Sequence, residues 1–315
     1  MLLAVAAPVS FALFLAQPAA AAQAAAAPSS VERAIQKRLK SLPGELGVFA
    51  LNLETGETIA VNADQRFPTA SVIKLAVMVE VFQRIADGTL TRDQLLTLDD
   101  AIKVEGSGVL FALRAGSTYS IGDLLYLMIA ISDNTATNML VDLVGTKNVD
   151  ERMVAYGLKE TRLYRGTYRQ GKPEVFPEEE KVYGLGSSTP REMGRLLELI
   201  ARGQAVSEKA SAEMMDLLRK QQDVNMIPRR LPEREDVVIG SKSGTTSEPL
   251  ADAKGFKGAV RNDVGVVKTP KGRYVVSIFT RHVQDARWGV ENVALLAGAD
   301  VSQLVFDHFA GGRGR

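Results

Sequence analysis

The chain has 315 residues, 46% of them hydrophobic and 24% charged, and a formal net charge of +1. This is ordinary globular composition, long enough to bury a sizeable core without covalent staples. No basic stripe marks a nucleic-acid partner, and the lack of cysteine excludes disulfides, thiol nucleophiles and cysteine-ligated metals.

The first charged residue is Glu32. The stretch before it is rich in Ala, Leu, Val and Phe, and Ala20-Ala21-Ala22 offers a small-residue cleavage site. Residues 1–27 are therefore expected to be a secretory signal peptide. An N-terminal anchor is the competing reading, but Gln17 and Pro18 interrupt the apolar run, and a spanning helix needs about 20 mainly apolar residues. No later segment reads as a membrane span. The mature chain is expected to be exported, periplasmic or secreted, and monomeric.

Ser29 and Glu32 are spaced as a capping box, which predicts a helix from there to about Leu42, closed by Pro43-Gly44. Gly47–Asn52 and Thr58–Asn62 read as a hairpin around Glu54-Thr55-Gly56. A helix from about Ser71 to Ala86 is apolar nearly all round and should be buried. Ile121–Ile131 and Thr135–Val144 are predicted helices with a polar interruption between them. Gly166–Ser188 has no clear period and reads as a long functional loop. Thr189-Pro190 starts a further helix with proline in its first turn. Val237–Ser241, Asp263–Lys268 and Tyr274–Arg281 predict strands, the last two joined by Pro270-Lys271-Gly272. A helix from about Ala286 to Phe309 precedes a loose tail, Gly311–Arg315. Strands at both ends with helices between predict an α+β fold, an α/β sandwich. Its antiparallel sheet is built from both chain ends (about 28–70 and 220–310) and flanked by terminal helices. A mostly helical subdomain (about 71–219) is inserted between the strands.

Only two histidines are present, His282 and His308, and no G-x-S-x-G occurs, which argues against a Ser-His-Asp hydrolase. Neither sits in a metal-ligand spacing, so both read as surface or packing residues, and no metal or cofactor is expected. Ser71-Val72-Ile73-Lys74 offers a different base. Its hydroxyl and amine lie at i and i+3 on one helix face. Apolar surroundings lower a lysine's pKa and let it accept a proton near neutrality. A serine at a helix N-terminus also has outward N–H groups for an oxyanion. Alone, S-x-x-K arises by chance about once in a chain of this length. Ser132-Asp133-Asn134 reads either as an N-cap and turn or as polar groups facing a cavity. Lys242-Ser243-Gly244-Thr245 follows an apolar strand. It offers fixed positive charge and room for close approach at Gly244, or it is a strand end with a bulge glycine.

Taken in order, S-x-x-K, S-D-N and K-[ST]-G resemble the signature of the class A β-lactamases, within the wider β-lactamase and penicillin-binding serine hydrolase superfamily. Arg162-Leu163-Tyr164-Arg165 and Ser188-Thr189-Pro190 are similar to the segments that open and close that family's omega loop. The resemblance covers about Val31 to Phe309. It implies a β-lactam substrate that acylates Ser71, with Lys74 taking or relaying the proton and Ser132 passing one to the departing nitrogen. Asn134 is implied to hold the substrate's side-chain amide. Lys242, Ser243 and Thr245, with Gly244 between them, are implied to bind its carboxylate. The N–H groups of Ser71 and Thr245 are implied to form the oxyanion hole.

The resemblance breaks in the omega loop. The family carries a Glu there, within Glu-x-x-Leu-Asn, which activates the water that cleaves the acyl-enzyme. Here the segment reads Arg165-Gly166-Thr167-Tyr168-Arg169-Gln170, with Thr167 where that Glu is expected. Glu174, Glu178, Glu179 and Glu180 follow, as candidate bases or as a solvated acidic loop. Acylation needs a nucleophile and an oxyanion hole, whereas turnover needs an activated water. Three readings follow: a β-lactam hydrolase with altered deacylation, a peptidoglycan D,D-peptidase or transpeptidase acting on stem peptides, and a non-catalytic sensor. Intact Ser71, Lys74, Ser132 and Lys242 argue against the last. Arg261 and Arg281 could each add charge to a carboxylate site but are expected to be surface ion pairs.

Overall fold

The computed structural model describes residues 27–167 and 176–311. All but the last residue of the predicted leader, Glu174, and all but the first residue of the predicted tail lie outside them. Helix α1 (Ser30–Leu39) leads into strands β1 (Glu45–Asn52) and β2 (Thr58–Val61). Then come β3 (Phe67–Pro68), a 3-10 turn (Ala70–Ile73), α2 (Lys74–Ala86), β4 (Leu95–Thr97), β5 (Thr118–Ser120), α3 (Ile121–Ala130), α4 (Asn134–Val144) and α5 (Thr146–Ala155). After β6 (Arg162–Leu163), α6 (Pro177–Tyr183) and β7 (Gly186–Ser188) follow α7 (Pro190–Ala201) and α8 (Glu208–Leu218). Strands β8 (Val238–Ser247), β9 (Ala259–Thr269) and β10 (Gly272–Arg281) and helix α9 (Val293–Ala310) complete the fold.

The main sheet has five strands in the order β2-β1-β10-β9-β8, antiparallel throughout. Both chain ends contribute to it, as the distribution of strand patterns predicts. Alternation along each strand sends side chains to two cores. Phe49, Leu51, Val264, Val266, Val275 and Phe279 face the helical layer of α2 and α7. Val48, Ala50, Val267, Val276 and Ile278 face α1 and α9. The capping box at Ser29 forms, and the other Glu32 oxygen accepts the Ala60 N–H at 2.9 Å, which ties α1 to β2.

Several element boundaries differ from the sequence pattern. Helix α1 stops at Leu39. Strand β8 does not end at Ser241 but continues through the polar run to Ser247, paired residue for residue with β9 and without a bulge. The ladder of backbone hydrogen bonds sets the strand's length there, not side-chain polarity. The Gly166–Ser188 segment contains α6 and β7. Helix α9 starts at Val293, because Asn292 caps it and Asp285–Asn292 forms a hydrogen-bonded loop. By length and composition α9 passes as a membrane span, contrary to the sequence reading, but half of it is buried in the second core.

Candidate active site

The segment that carries Ser71 is a tight turn, not the first turn of α2. Ala70–Ile73 is 3-10, and the α-helix begins at Lys74. Ala70 enters the turn at φ +46, a left-handed conformation that costs a non-glycine residue about 1 kcal/mol. Asn262, on β9, holds the segment in place. Its Nδ2 donates to Pro68 O at 2.8 Å and Thr69 O at 3.1 Å, while its Oδ1 accepts the Thr280 N–H at 2.9 Å. Sequence reasoning missed this residue; the available signal was a polar run, Arg261-Asn262-Asp263, buried inside a strand whose centre is apolar. Strand β8 lies directly against the turn. A Cβ on Gly244 would stand 2.7 Å from Thr69 O and 3.0 Å from the Ser71 nitrogen. Glycine is required by that approach. It brings Thr245 beside the Ser71 N–H, which has no acceptor within its own turn.

Ser132 sits at the centre of the polar groups. Lys74 Nζ donates to Ser132 O at 2.7 Å, Ser132 Oγ at 3.1 Å and Asn134 Oδ1 at 2.9 Å. Lys242 Nζ donates to the same Ser132 Oγ at 3.1 Å and to Ser243 O at 2.8 Å. A hydroxyl has two acceptor lone pairs and one proton. With both lone pairs on lysines, the Ser132 proton is the one left to offer. Ser132 takes φ +58, which turns its carbonyl and hydroxyl together onto Lys74. Among the described residues no hydrogen bond joins Ser71 Oγ to Lys74, whose amine is turned toward Ser132 and Asn134.

Both lysines are fully buried. Burial, aided by the neighbouring Lys242 charge and opposed by Asp133, pushes Lys74 well below the usual lysine range. Burial lowers Lys242 to about 8 against the pull of Asp263 and Asp223. Both readings of Ser132-Asp133-Asn134 hold at once. Asp133 caps α4 through the Ala136 N–H and fixes the facing loop through the N–H groups of Val109 and Leu110. Ser132 and Asn134 meanwhile reach the lysine.

Two cavities meet at Ser71, Ser107 and Thr245. One, of about 360 Å³, includes Asn134, Thr167, Tyr183, Glu248 and Trp288 in its wall. The other, of about 340 Å³, includes Ser132, Gln221, Asp223 and Ser243. Thr167 is buried, and Asn138 clamps its backbone, accepting its N–H at 2.7 Å and donating to its carbonyl at 3.1 Å. Its hydroxyl has no hydrogen-bond partner among the described residues.

Glu178 pairs with Lys181 in solvent, and Glu180 pairs with Arg165 at 2.6 Å. Neither they nor Glu179 line either cavity. Glu248 does, held by His282 at 2.6 Å and Arg281 at 3.4 Å. His308 pairs with Glu57 near the surface. Arg261 is not a surface ion pair: it is 1% exposed and donates to the carbonyls of Thr246, Val260 and Arg287. Main-chain oxygens from three segments replace the carboxylate that a surface arginine would find. Arg281 likewise pairs inside the wall, its side chain 14% exposed. No cluster of metal-ligating side chains occurs among the described residues.

The architecture is the β-lactamase/transpeptidase-like fold, an α+β sandwich whose cleft lies between the β8 edge and the helical layer. Residues 30–309 match the model of the Beta-lactamase enzyme family, and the chain belongs to that family. It is 23% identical over 282 residues to Beta-lactamase VEB-1 of Pseudomonas aeruginosa, covering 87% of this chain and 89% of that one. It is 27% identical over 250 residues to Beta-lactamase SME-1 of Serratia marcescens, covering 78% and 79%. A solved β-lactamase from Sphaerobacter thermophilus superposes with a TM-score of 0.77 at 30% identity, over 90% of this chain and 98% of that one. The protein named PBP-A superposes with a TM-score of 0.74 at 25% identity, over 89% and 96%.

Proposed function

We propose that the chain is a serine hydrolase that opens β-lactams through an acyl-enzyme on Ser71, with an altered deacylation step because Thr167 stands where the family's omega-loop Glu is expected. The observation that carries this is the shared Ser132 hydroxyl, bonded to both Lys74 and Lys242. Lys74, whose charged form burial disfavours, takes the Ser71 proton in its neutral form as Oγ attacks the lactam carbonyl. The N–H groups of Ser71 and Thr245 receive the developing oxyanion. The proton passes from Lys74 to Ser132, and Ser132 gives its own to the departing nitrogen, so Lys74 ends neutral. Lys242, Ser243 and Thr245 hold the substrate carboxylate, and Asn134 holds the side-chain amide. On this reading residues 1–27 are a signal peptide, 28–315 form the hydrolase domain, and the exported protein is a periplasmic or secreted monomer.

Thr167 favours a second reading. With no carboxylate at that position the acyl-enzyme persists, as in a cell-wall D,D-peptidase whose acyl group passes from a stem peptide to water or an amine. A mutant of PBP-A has been solved as an acyl-enzyme with penicillin G, which supports penicillin-reactive chemistry on this fold. The deciding experiment is intact mass against time after mixing the mature protein with a simple penicillin, beside Ser71→Ala. An adduct that disappears as hydrolysed drug accumulates supports the β-lactamase. A persistent adduct supports the peptidase, and no adduct removes Ser71 as a β-lactam-reactive nucleophile.

A further inference from the structure

The two cavities divide a substrate bound at Ser71. Ser132, the donor to the departing nitrogen, lines only the smaller one, with Ser243 of the carboxylate site. Asn134, which holds the side-chain amide, lines only the larger. The leaving part therefore occupies the first and the acyl substituent the second. In the wall of the acyl cavity stands Trp288, the chain's one tryptophan. The residue is 64% exposed, an unusual place for a large aromatic ring.

Trp288 is braced. The Arg261 guanidinium lies 5.0 Å from its ring centroid, and a cation over an indole face is attracted by the ring quadrupole. That guanidinium is itself fixed by Thr246 O at 2.8 Å, Val260 O at 2.9 Å and Arg287 O at 2.9 Å. Arg261 thus joins the β8 end, one residue beyond Thr245, to the loop that carries the tryptophan. The loop is held again by Asn292 Nδ2, which donates to Asp285 O at 2.8 Å and Arg287 O at 2.9 Å. Asp285 also accepts the Val293 N–H at 2.9 Å. The indole is therefore placed before any ligand arrives, so little ordering entropy is lost on stacking against it.

Resting on the Ser71 acylation reading above, we infer that Trp288 is a specificity-determining platform for aromatic acyl substituents of the substrate, with Arg261 as its positioning residue. Aryl rings stack on the indole, whereas an acyl part made of small aliphatic residues gains little there. The site thereby favours aryl-acylated β-lactams over compounds that lack the aryl group.

The test compares second-order acylation rates by intact mass for benzylpenicillin and 6-aminopenicillanic acid, which has the same ring system without the arylacetyl group. Trp288→Ala is expected to slow benzylpenicillin roughly fivefold to tenfold and to leave 6-aminopenicillanic acid within about twofold, with Trp288→Phe restoring most of the loss. An equal slowing of both compounds, or of neither, overturns the platform. Binding is read separately from chemistry through the emission of the single tryptophan in Ser71→Ala. Saturable quenching by benzylpenicillin but not by 6-aminopenicillanic acid is the expected result, and its absence overturns the inference. If quenching occurs while the wild-type protein forms no adduct, the platform stands and the acyl-enzyme reading falls.

Discussion

Lys242 makes the alkaline side of the reaction measurable. Burial holds its ammonium near 8, so the charged fraction falls from about nine-tenths at pH 7 to about one-tenth at pH 9. In the proposed mechanism the charged form anchors the substrate carboxylate, and a rise in pH removes it. The acylation rate constant for a penicillin should therefore drop about tenfold between those pH values. Burial also lowers Lys74, well below the usual lysine range, and any change in that group acts alike on the acid and on an ester that lacks the carboxylate. The assay is stopped-flow or quenched intact-mass acylation across pH 6 to 10, run in parallel with the methyl ester of the same penicillin. The ester has no carboxylate charge and should show no alkaline limb. A flat profile for the acid, or an equal fall for the ester, would refute Lys242 as a titrating carboxylate anchor.

Thr167→Glu puts a carboxylate where Asn138 already clamps the backbone. General bases contribute about 10²–10⁴ to rate, so the adduct should disappear at least tenfold faster while its formation is unchanged; intact mass reads both. Gly244→Ala forces a Cβ to 2.7 Å from Thr69 O and 3.0 Å from the Ser71 nitrogen. Overpacking of this kind costs about 1–3 kcal/mol, and displacing one oxyanion donor costs about 10²–10³ in rate; thermal unfolding and acylation kinetics separate the two. Ser132→Ala and Ser132→Gly both remove the proton donor and should acylate equally slowly. The glycine variant relieves the φ +58 strain and should be the more stable by about 1 kcal/mol in denaturant melts. Asp263 is fully buried, and burial raises its carboxyl to about 7. Because the folded value lies above the unfolded one, its contribution is full below pH 4 and is lost as pH rises through about 7. Asp263→Asn should therefore gain in melting temperature relative to wild type as pH is raised from 5 to 8.

The three motifs were legible because each is local. An i, i+3 pair and two contiguous runs carry their chemistry in a few residues, and capping and alternation marked most elements around them. What stayed illegible depends on residues far apart in the chain. Arg261 reads as a surface charge because its partners are carbonyls of Thr246, Val260 and Arg287, and a carbonyl leaves no mark on a sequence. Asn262 falls just outside the predicted strand Asp263–Lys268, and its partners Pro68 and Thr69 lie far away in sequence. The end of β8 was placed too early because Lys242, Ser243 and Thr245 look like loop residues; they are polar because that edge of the sheet borders a cleft. Trp288 fell inside a predicted helix because the loop Asp285–Asn292 is defined by side chain to main chain bonds that no periodicity encodes.

The buried lysines join these two levels. Two ammonium groups on one hydroxyl repel each other, and removal from water penalises each further. The arrangement persists because neighbouring groups hold it rigidly. Ser132 accepts a left-handed backbone to offer both its oxygens to Lys74, Gly244 lets β8 carry Lys242 into the same space, and Asn262 holds the nucleophile turn to the sheet. Burial lowers both lysines; the Lys242 charge lowers Lys74 further, while Asp263 and Asp223 pull Lys242 back up. The same electrostatic cost that destabilises the fold thus weights Lys74 toward the neutral amine, while Asp263 and Asp223 support the charge on Lys242, the bias that proton removal and carboxylate binding separately need in the proposed mechanism.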